Sequence, residues 1–164
     1  PAYAVEKALE QFRSRDYRFL VVTGGPLEKG YHLSEYKTCA DLTAATLKKL
    51  GLSEDLIRVL PAPFVKRNAT YTSAIALKKW LSDAGAKFDS LDIYSQGAHA
   101  RRTQMLFQKA LGEKLAVGVI AGDDQGYDPE RWWTSNTGAR SVVYQMIAYV
   151  YARFFFYPDK SEKE

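Results

Sequence analysis

Along almost the whole chain, short apolar runs rich in β-branched residues alternate with segments of helical period, and no other feature limits the fold as much. "YAVEKALEQF" puts Val5, Ala8, Leu9 and Phe12 at helical spacing, and "YRFLVVT" follows as a strand closed by Gly24, Gly25 and Pro26. Ser34 and Glu35 open a second helix that Gly51 ends, and "LIRVL" before Pro61 is the next strand. Thr70 or Thr72 caps a third helix containing Ile75, Leu77, Trp80 and Leu81, which stops at Gly85. "LDIYS" reads as a strand, Ala98 to Leu111 as a helix stopped by Gly112, "LAVGVIA" as a strand, and about Thr137 to Tyr157 as a long last helix. Such alternation predicts βαβ units, and so an α/β chain with a mostly parallel sheet inside a three-layer α/β/α sandwich.

The pattern gives four strands, few for such a sheet, and the chain enters a helix directly after Pro1. We therefore expect a first strand before Pro1 that this chain lacks, with an open strand edge prone to pairing with a second copy. Residues 1–157 form a single α/β domain on this reading, and "PDKSEKE", residues 158–164, is a polar tail.

Composition excludes several classes. With 46% apolar and 26% charged residues the chain is neither disordered nor low-complexity. The net charge is +4, but the basic pairs Lys48/Lys49, Lys66/Arg67, Lys78/Lys79 and Arg101/Arg102 are scattered, which argues against a nucleic acid partner. The most apolar stretch, Val142 to Tyr157, is interrupted by Gln145 and Arg153 and is too short to span a bilayer. The single cysteine, Cys39, is expected to be a small buried hydrophobe inside the second helix.

In open α/β sheets ligands gather beyond the carboxyl ends of the strands. "TGGPLEKG" arrives there after the first strand, with Thr23, Gly24 and Gly25 offering a hydroxyl and accessible backbone N–H groups to an anion. "PAPFVKRNATYTS" follows the second strand and "GDDQGYDPERWWTSNTGAR" the fourth. After the third comes "SQGAHARR", which places His99, Arg101 and Arg102 in the first turn of a helix, where cations are disfavoured by the dipole. His99 and Arg102 are three apart and share a face, so they can converge on one small anionic or phosphorylated ligand. Arg101 points elsewhere, toward partners such as Asp92, Asp123 or Asp124. His99 also suits a general acid or base, although Ser95, Thr70, Thr72 and Ser73 leave the choice of nucleophile open. Asp123, Asp124 and His99 lack metal-ligand spacing, and no metal is expected. Trp132 and Trp133 are expected to fasten the last helix onto the sheet, and the aromatics of that helix, among them Tyr149, Tyr151, Phe154, Phe155 and Phe156, to be buried there. An exposed apolar patch on that helix would instead mark a surface for a partner or a bilayer.

In order along the chain, "LVVTGG", Glu35, "VLPAPFVKRNATYTSA", "GAHARRTQMLFQKALG" and "WWTSNTGARSVVYQMIAYVYARFF" resemble the YdcF/SanA/ElyC family of bacterial proteins, built on a domain of unknown function. The likeness covers nearly the whole chain, and His-x-x-Arg, here His99 and Arg102, is its most specific element. It implies a Rossmann-like fold and a pocket that gathers Thr23, Gly24, Gly25, Glu35, Thr70, Gly97, His99 and Arg102. It also implies an envelope protein facing the periplasm, membrane-anchored in its full length, with a cytoplasmic location as the alternative. It implies no particular reaction, and nucleotide-like ligands, S-adenosylmethionine among them. With His99 as proton donor and Arg102 steadying charge, phosphoryl hydrolysis or transfer is the expected activity, and non-catalytic binding of S-adenosylmethionine, a nucleotide or a partner protein the alternative. Gln145 departs from the family, whose final helix often presents a glutamate there.

Overall fold

The structure is a computed structural model that describes residues 2–27, 35–65, 68–85 and 88–158. It is α/β, and its contacts divide it into two compact units, Pro1–Ala86 and Lys87–Glu164.

The first unit contains α1 (Ala2–Arg13), β1 (Leu20–Gly24), α2 (Cys39–Lys49), β2 (Ile57–Pro61) and α3 (Ala69–Asp83). β1 and β2 are parallel, in register from Leu20 opposite Ile57 to Gly24 opposite Pro61. Both α2 and α3 pack on these strands, and α1 packs on α2. Two strands alone are marginal in water, so these helices supply the apolar burial that the pair needs. The core joins Leu9 and Phe12 of α1 to Val22, Ala44, Leu47, Leu52 and Ile57. On α3 the buried side chains are Tyr71, Ala74 and Leu77, three apart, as one helix face requires.

α2 begins at Cys39 rather than near Ser34, which lies outside the described residues. Thr38 and Asp41 form a reciprocal capping box, with the Asp41 N–H donating to Thr38 Oγ1 (3.0 Å) and the Thr38 N–H to Asp41 Oδ2 (3.2 Å). Cys39 is therefore the first residue of the helix and is exposed, which corrects the expectation of a buried cysteine. α3 likewise starts earlier than either threonine: Asn68 is its N-cap at φ 61°, Thr70 lies inside the first turn, and the Thr72 hydroxyl donates back to the Asn68 carbonyl (3.3 Å).

The second unit contains β3 (Ser90–Gln96), α4 (His99–Leu111), β4 (Ala116–Gly122), a single 3-10 turn (Trp132–Thr134) and α5 (Asn136–Phe154). β3 and β4 are parallel, from Ser90 opposite Ala116 to Gln96 opposite Gly122. α4 packs on both strands through Ala100, Thr103, Leu106, Phe107 and Ala110. α5 packs on α4 and on the 3-10 turn. The Lys109 ammonium of α4 donates to the Ala152 carbonyl (2.6 Å) and reaches those of Arg153 and Phe156, so it satisfies the end of α5. The backbone of Trp132 lies against the start of α5, where a Cβ on the buried Gly138 would collide with its carbonyl oxygen. Trp133, by contrast, is 63% exposed. Of the aromatics expected to be buried, Phe156 is buried and Tyr149 half-buried, but Tyr151, Phe154 and Phe155 are exposed, while the helix turns Gly138 and Ala152 inward.

Gly24 and Gly25 separate by the space around them. A Cβ on Gly24 would stand 2.8 Å from the Cys39 Cβ and 3.0 Å from the Ala40 nitrogen, whereas one on Gly25 would meet nothing closer than 3.9 Å. Gly24→Ala is thus expected to destabilise the protein by about 1–3 kcal/mol, since α2 must move off the strand end. Gly25→Ala should be close to neutral, and equilibrium urea unfolding of the two variants checks the contrast.

Candidate functional site

The corner between β3 and α4 is built by one glycine. Gly97 sits at φ 48°, and a Cβ there would be 2.9 Å from the Tyr127 hydroxyl and 3.1 Å from the Asp124 Cβ. Its N–H donates to the carbonyl of Gly122, the last residue of β4 (2.8 Å). The chain therefore turns into α4 directly at the strand ends. Ala98 occupies the N-cap with no side-chain cap hydrogen bond, and the first turn contains no acidic residue. Its early amides lack the partner that a serine or aspartate cap would provide.

His99, Arg102 and Gln145 meet at this end of α4. Arg102 donates through Nε to Gln145 Oε1 (3.0 Å) and through Nη2 to His99 Nδ1 (3.0 Å). The two acceptors lie 3.2 Å apart, side by side in front of the guanidinium fork. A guanidinium can only donate, so Nδ1 presents its lone pair and the imidazole is the neutral tautomer protonated at Nε2. Burial pushes the His99 pKa below its ordinary value; Gln145 Oε1, ready to accept from Nδ1 once that nitrogen is protonated, works against this, and the Arg102 charge adds to it. Burial also lowers the Arg102 pKa, with Tyr144 opposing. A guanidinium nevertheless stays protonated, so Arg102 is a half-buried cation whose hydrogen-bond partners are both neutral. Arg101 is exposed and makes no ion pair among the described residues.

Ser95 is buried and shares a hydrogen bond with Thr103 (3.4 Å), whose hydroxyl also lies within reach of the His99 carbonyl (3.1 Å). It is part of the support under α4 and is not presented as a nucleophile. Among the described residues no group of three or more His, Cys, Asp or Glu could hold a metal ion, and no helix is long and apolar enough to cross a membrane.

The remaining candidates belong to the first unit. Thr23 and Gly24 end β1, and the Gly24 and Gly25 carbonyls accept from the Ala62 and Cys39 amides (3.0 and 2.9 Å). Gly24 is accounted for by its contact with α2, and the start of α2 is already capped by Thr38. Glu35 is exposed and lines a shallow groove of about 560 Å³ with Tyr36, Asp41, Lys48 and Val59. Its hydrogen bond to Tyr36 raises that hydroxyl's pKa. Thr70 lies in the first turn of α3. The geometry thus brings together His99 and Arg102 as the sequence predicts, with Gly97 forming the turn beneath them. It adds Gln145, which no local pattern in the sequence ties to Arg102.

Comparison of the chain with protein-family profiles, with curated proteins and with solved structures gave no significant match.

The site makes a definite prediction about protonation. With the folded pKa of His99 depressed, the unfolded chain binds more protons just below about pH 6.5, so His99 contributes stability that is lost as pH falls through its folded pKa. Imidazole NMR, assigned with His99→Gln, should show His99 titrating below 6.5 from a neutral Nε2–H form. A neutral form protonated at Nδ1 would show that Arg102 does not hold the ring.

Proposed function

We propose that the β3–α4 corner binds a small anionic or phosphorylated ligand, and that the chain is a YdcF/SanA/ElyC-like domain serving bacterial envelope biogenesis at the periplasmic face. One observation carries the binding reading: Arg102 is a half-buried cation held between two neutral acceptors, with no carboxylate among the described residues paired to it, at a helix start that has no side-chain cap. An anion would supply the missing charge. It would accept from the guanidinium nitrogen not already engaged, from His99 Nε2–H and from the open amides of α4, each a stronger bond for its charge. The family resemblance supports the biological setting, because its most specific element is this same His-x-x-Arg pair.

Of the two activities, binding has more support than phosphoryl transfer. The flanking hydroxyls of Ser95 and Thr103 are turned to each other and to the His99 carbonyl, so a hydrolytic step would rely on water with His99 passing the proton. Phosphate esters come before S-adenosylmethionine or a nucleotide as ligands, because α2 has its amides capped and Gly24 closed by Cys39.

Thermal shift against inorganic phosphate, a sugar phosphate, a nucleotide and S-adenosylmethionine tests the reading. A phosphorylated ligand at a hundred times its Kd should add about 2.7 kcal/mol of stability. Gln145→Glu is the decisive variant, since it would place a carboxylate on Arg102 and His99 and make the external anion redundant. It should unfold at higher temperature without ligand and lose at least about tenfold in phosphate affinity, the equivalent of 1.4 kcal/mol. Arg102→Gln should lose binding too, and His99→Gln, which keeps a donor, should lose less. Phosphate affinity unchanged in folded Gln145→Glu and Arg102→Gln would remove the site.

A further inference from the structure

α5 is turned inside out. At 3.6 residues per turn, Gly138, Ser141, Gln145, Ala148 and Ala152 share one side with Val142 and Tyr149; all are buried or half-buried, and most are small or polar. They let α5 lie close on α4. The opposite side carries Val143, Ile147, Val150 and Phe154, exposed by 46%, 66%, 48% and 60%. Tyr144 and Tyr151 flank that stripe on one side and Met146 on the other, all more than half exposed. No charged residue occurs between Arg140 and Arg153. A helix apolar on all sides belongs in an interior, and a continuous exposed patch of this kind marks an interaction surface.

We propose that this face is the interface of a homodimer, in which α5 packs on α5 of a second copy across a two-fold axis. Three observations select that occupant. The stripe recurs at intervals of four, three and four residues, the spacing by which one helix interlocks with another of the same sequence. Covering it and its flanking residues would bury on the order of 800 Å² per copy, at the 150–250 Å² of a large side chain, which is the size of a standard interface. The charge pattern argues against a lipid surface, since helices that lie on membranes are rich in Lys and Arg on their polar face and α5 has Arg140 and Arg153 alone. The missing charge also leaves nothing to select an acidic or basic partner.

Sedimentation velocity of the full chain across micromolar concentrations should show a discrete dimer. Ile147→Glu and, separately, Phe154→Lys put a charge near either end of the stripe, so that misfolding of one still leaves a test. Each should weaken the dimer by more than about tenfold with the helical circular dichroism unchanged. A wild-type chain that stays monomeric, forms a ladder of larger species, or floats with phosphatidylglycerol vesicles instead of dimerising would overturn the proposal. So would a dimer that survives both substitutions in folded protein.

Discussion

The turn at Gly97 sets the geometry of the second unit. The left-handed conformation there is disfavoured for an ordinary L-residue by about 1–2 kcal/mol, and the space above the Cα is filled by Tyr127 and Asp124. Only a glycine lets β3 pass into α4 while its own N–H closes on Gly122. Several features follow. α4 starts at the strand ends, so His99 stands beside the loop after β4, and the buried face of α4 falls on β3 and β4. α5 in turn is fixed to α4 at both ends of the contact, by Lys109 at its carboxyl end and by the Gln145 bridge to Arg102 and His99.

Arg102 occupies a position that local electrostatics opposes. A cation in the first turn of a helix loses about 0.3–1 kcal/mol to the macrodipole, and partial burial adds a desolvation cost. Hydrogen bonds to a charged donor contribute about 1.5–3 kcal/mol each, enough for the fork to Gln145 Oε1 and His99 Nδ1 to hold the side chain in place. Geometry and charge are thus satisfied by different means. The amide and imidazole orient the guanidinium without neutralising it, and a glutamate at position 145 would do both. Glutamine at position 145 therefore has a physical consequence: the arginine is fixed while its own hydrogen-bond partners leave its charge in place.

Much of this was legible in the sequence because period and punctuation agree. Every α-helix and strand in the described residues falls on a segment whose spacing marked it, the 3-10 turns at Glu54–Leu56 and Trp132–Thr134 excepted, and Gly51, Gly85 and Gly112 close their helices at positive φ. His99 and Arg102 were legible for the same reason, since residues three apart on a helix must share a face. What escaped depends on contacts distant in sequence or on competing local caps. Ser34 and Thr38 are both plausible helix starts, and only the reciprocal bond with Asp41 decides for Thr38, which moves Cys39 to the exposed first position. The glycine pair looked like an anion cradle, yet Gly24 answers to the Cys39 side chain. Gln145 is 43 residues from Arg102, and no local pattern could join them.

The last helix shows where periodicity itself runs out. With apolar residues all round, its sequence does not say which side faces the protein, and the larger side chains were the natural choice for burial. Size decides the other way. α4 already presents Arg102 and His99 to α5, and only small residues or a hydrogen-bonding amide can approach that surface closely. Gln145 is thus the hydrogen-bonding amide of the inward set, and most of the bulky residues are left outside. The two faces are about half a turn apart, so a second copy covering Val143 to Phe154 leaves the His99 and Arg102 corner open. It would also stiffen the helix that holds Gln145 against Arg102, because burying the outer face removes the fraying that an isolated apolar helix suffers in water. On that argument self-association and anion binding draw on opposite sides of one helix, and the residue that links them is the one glutamine facing inward.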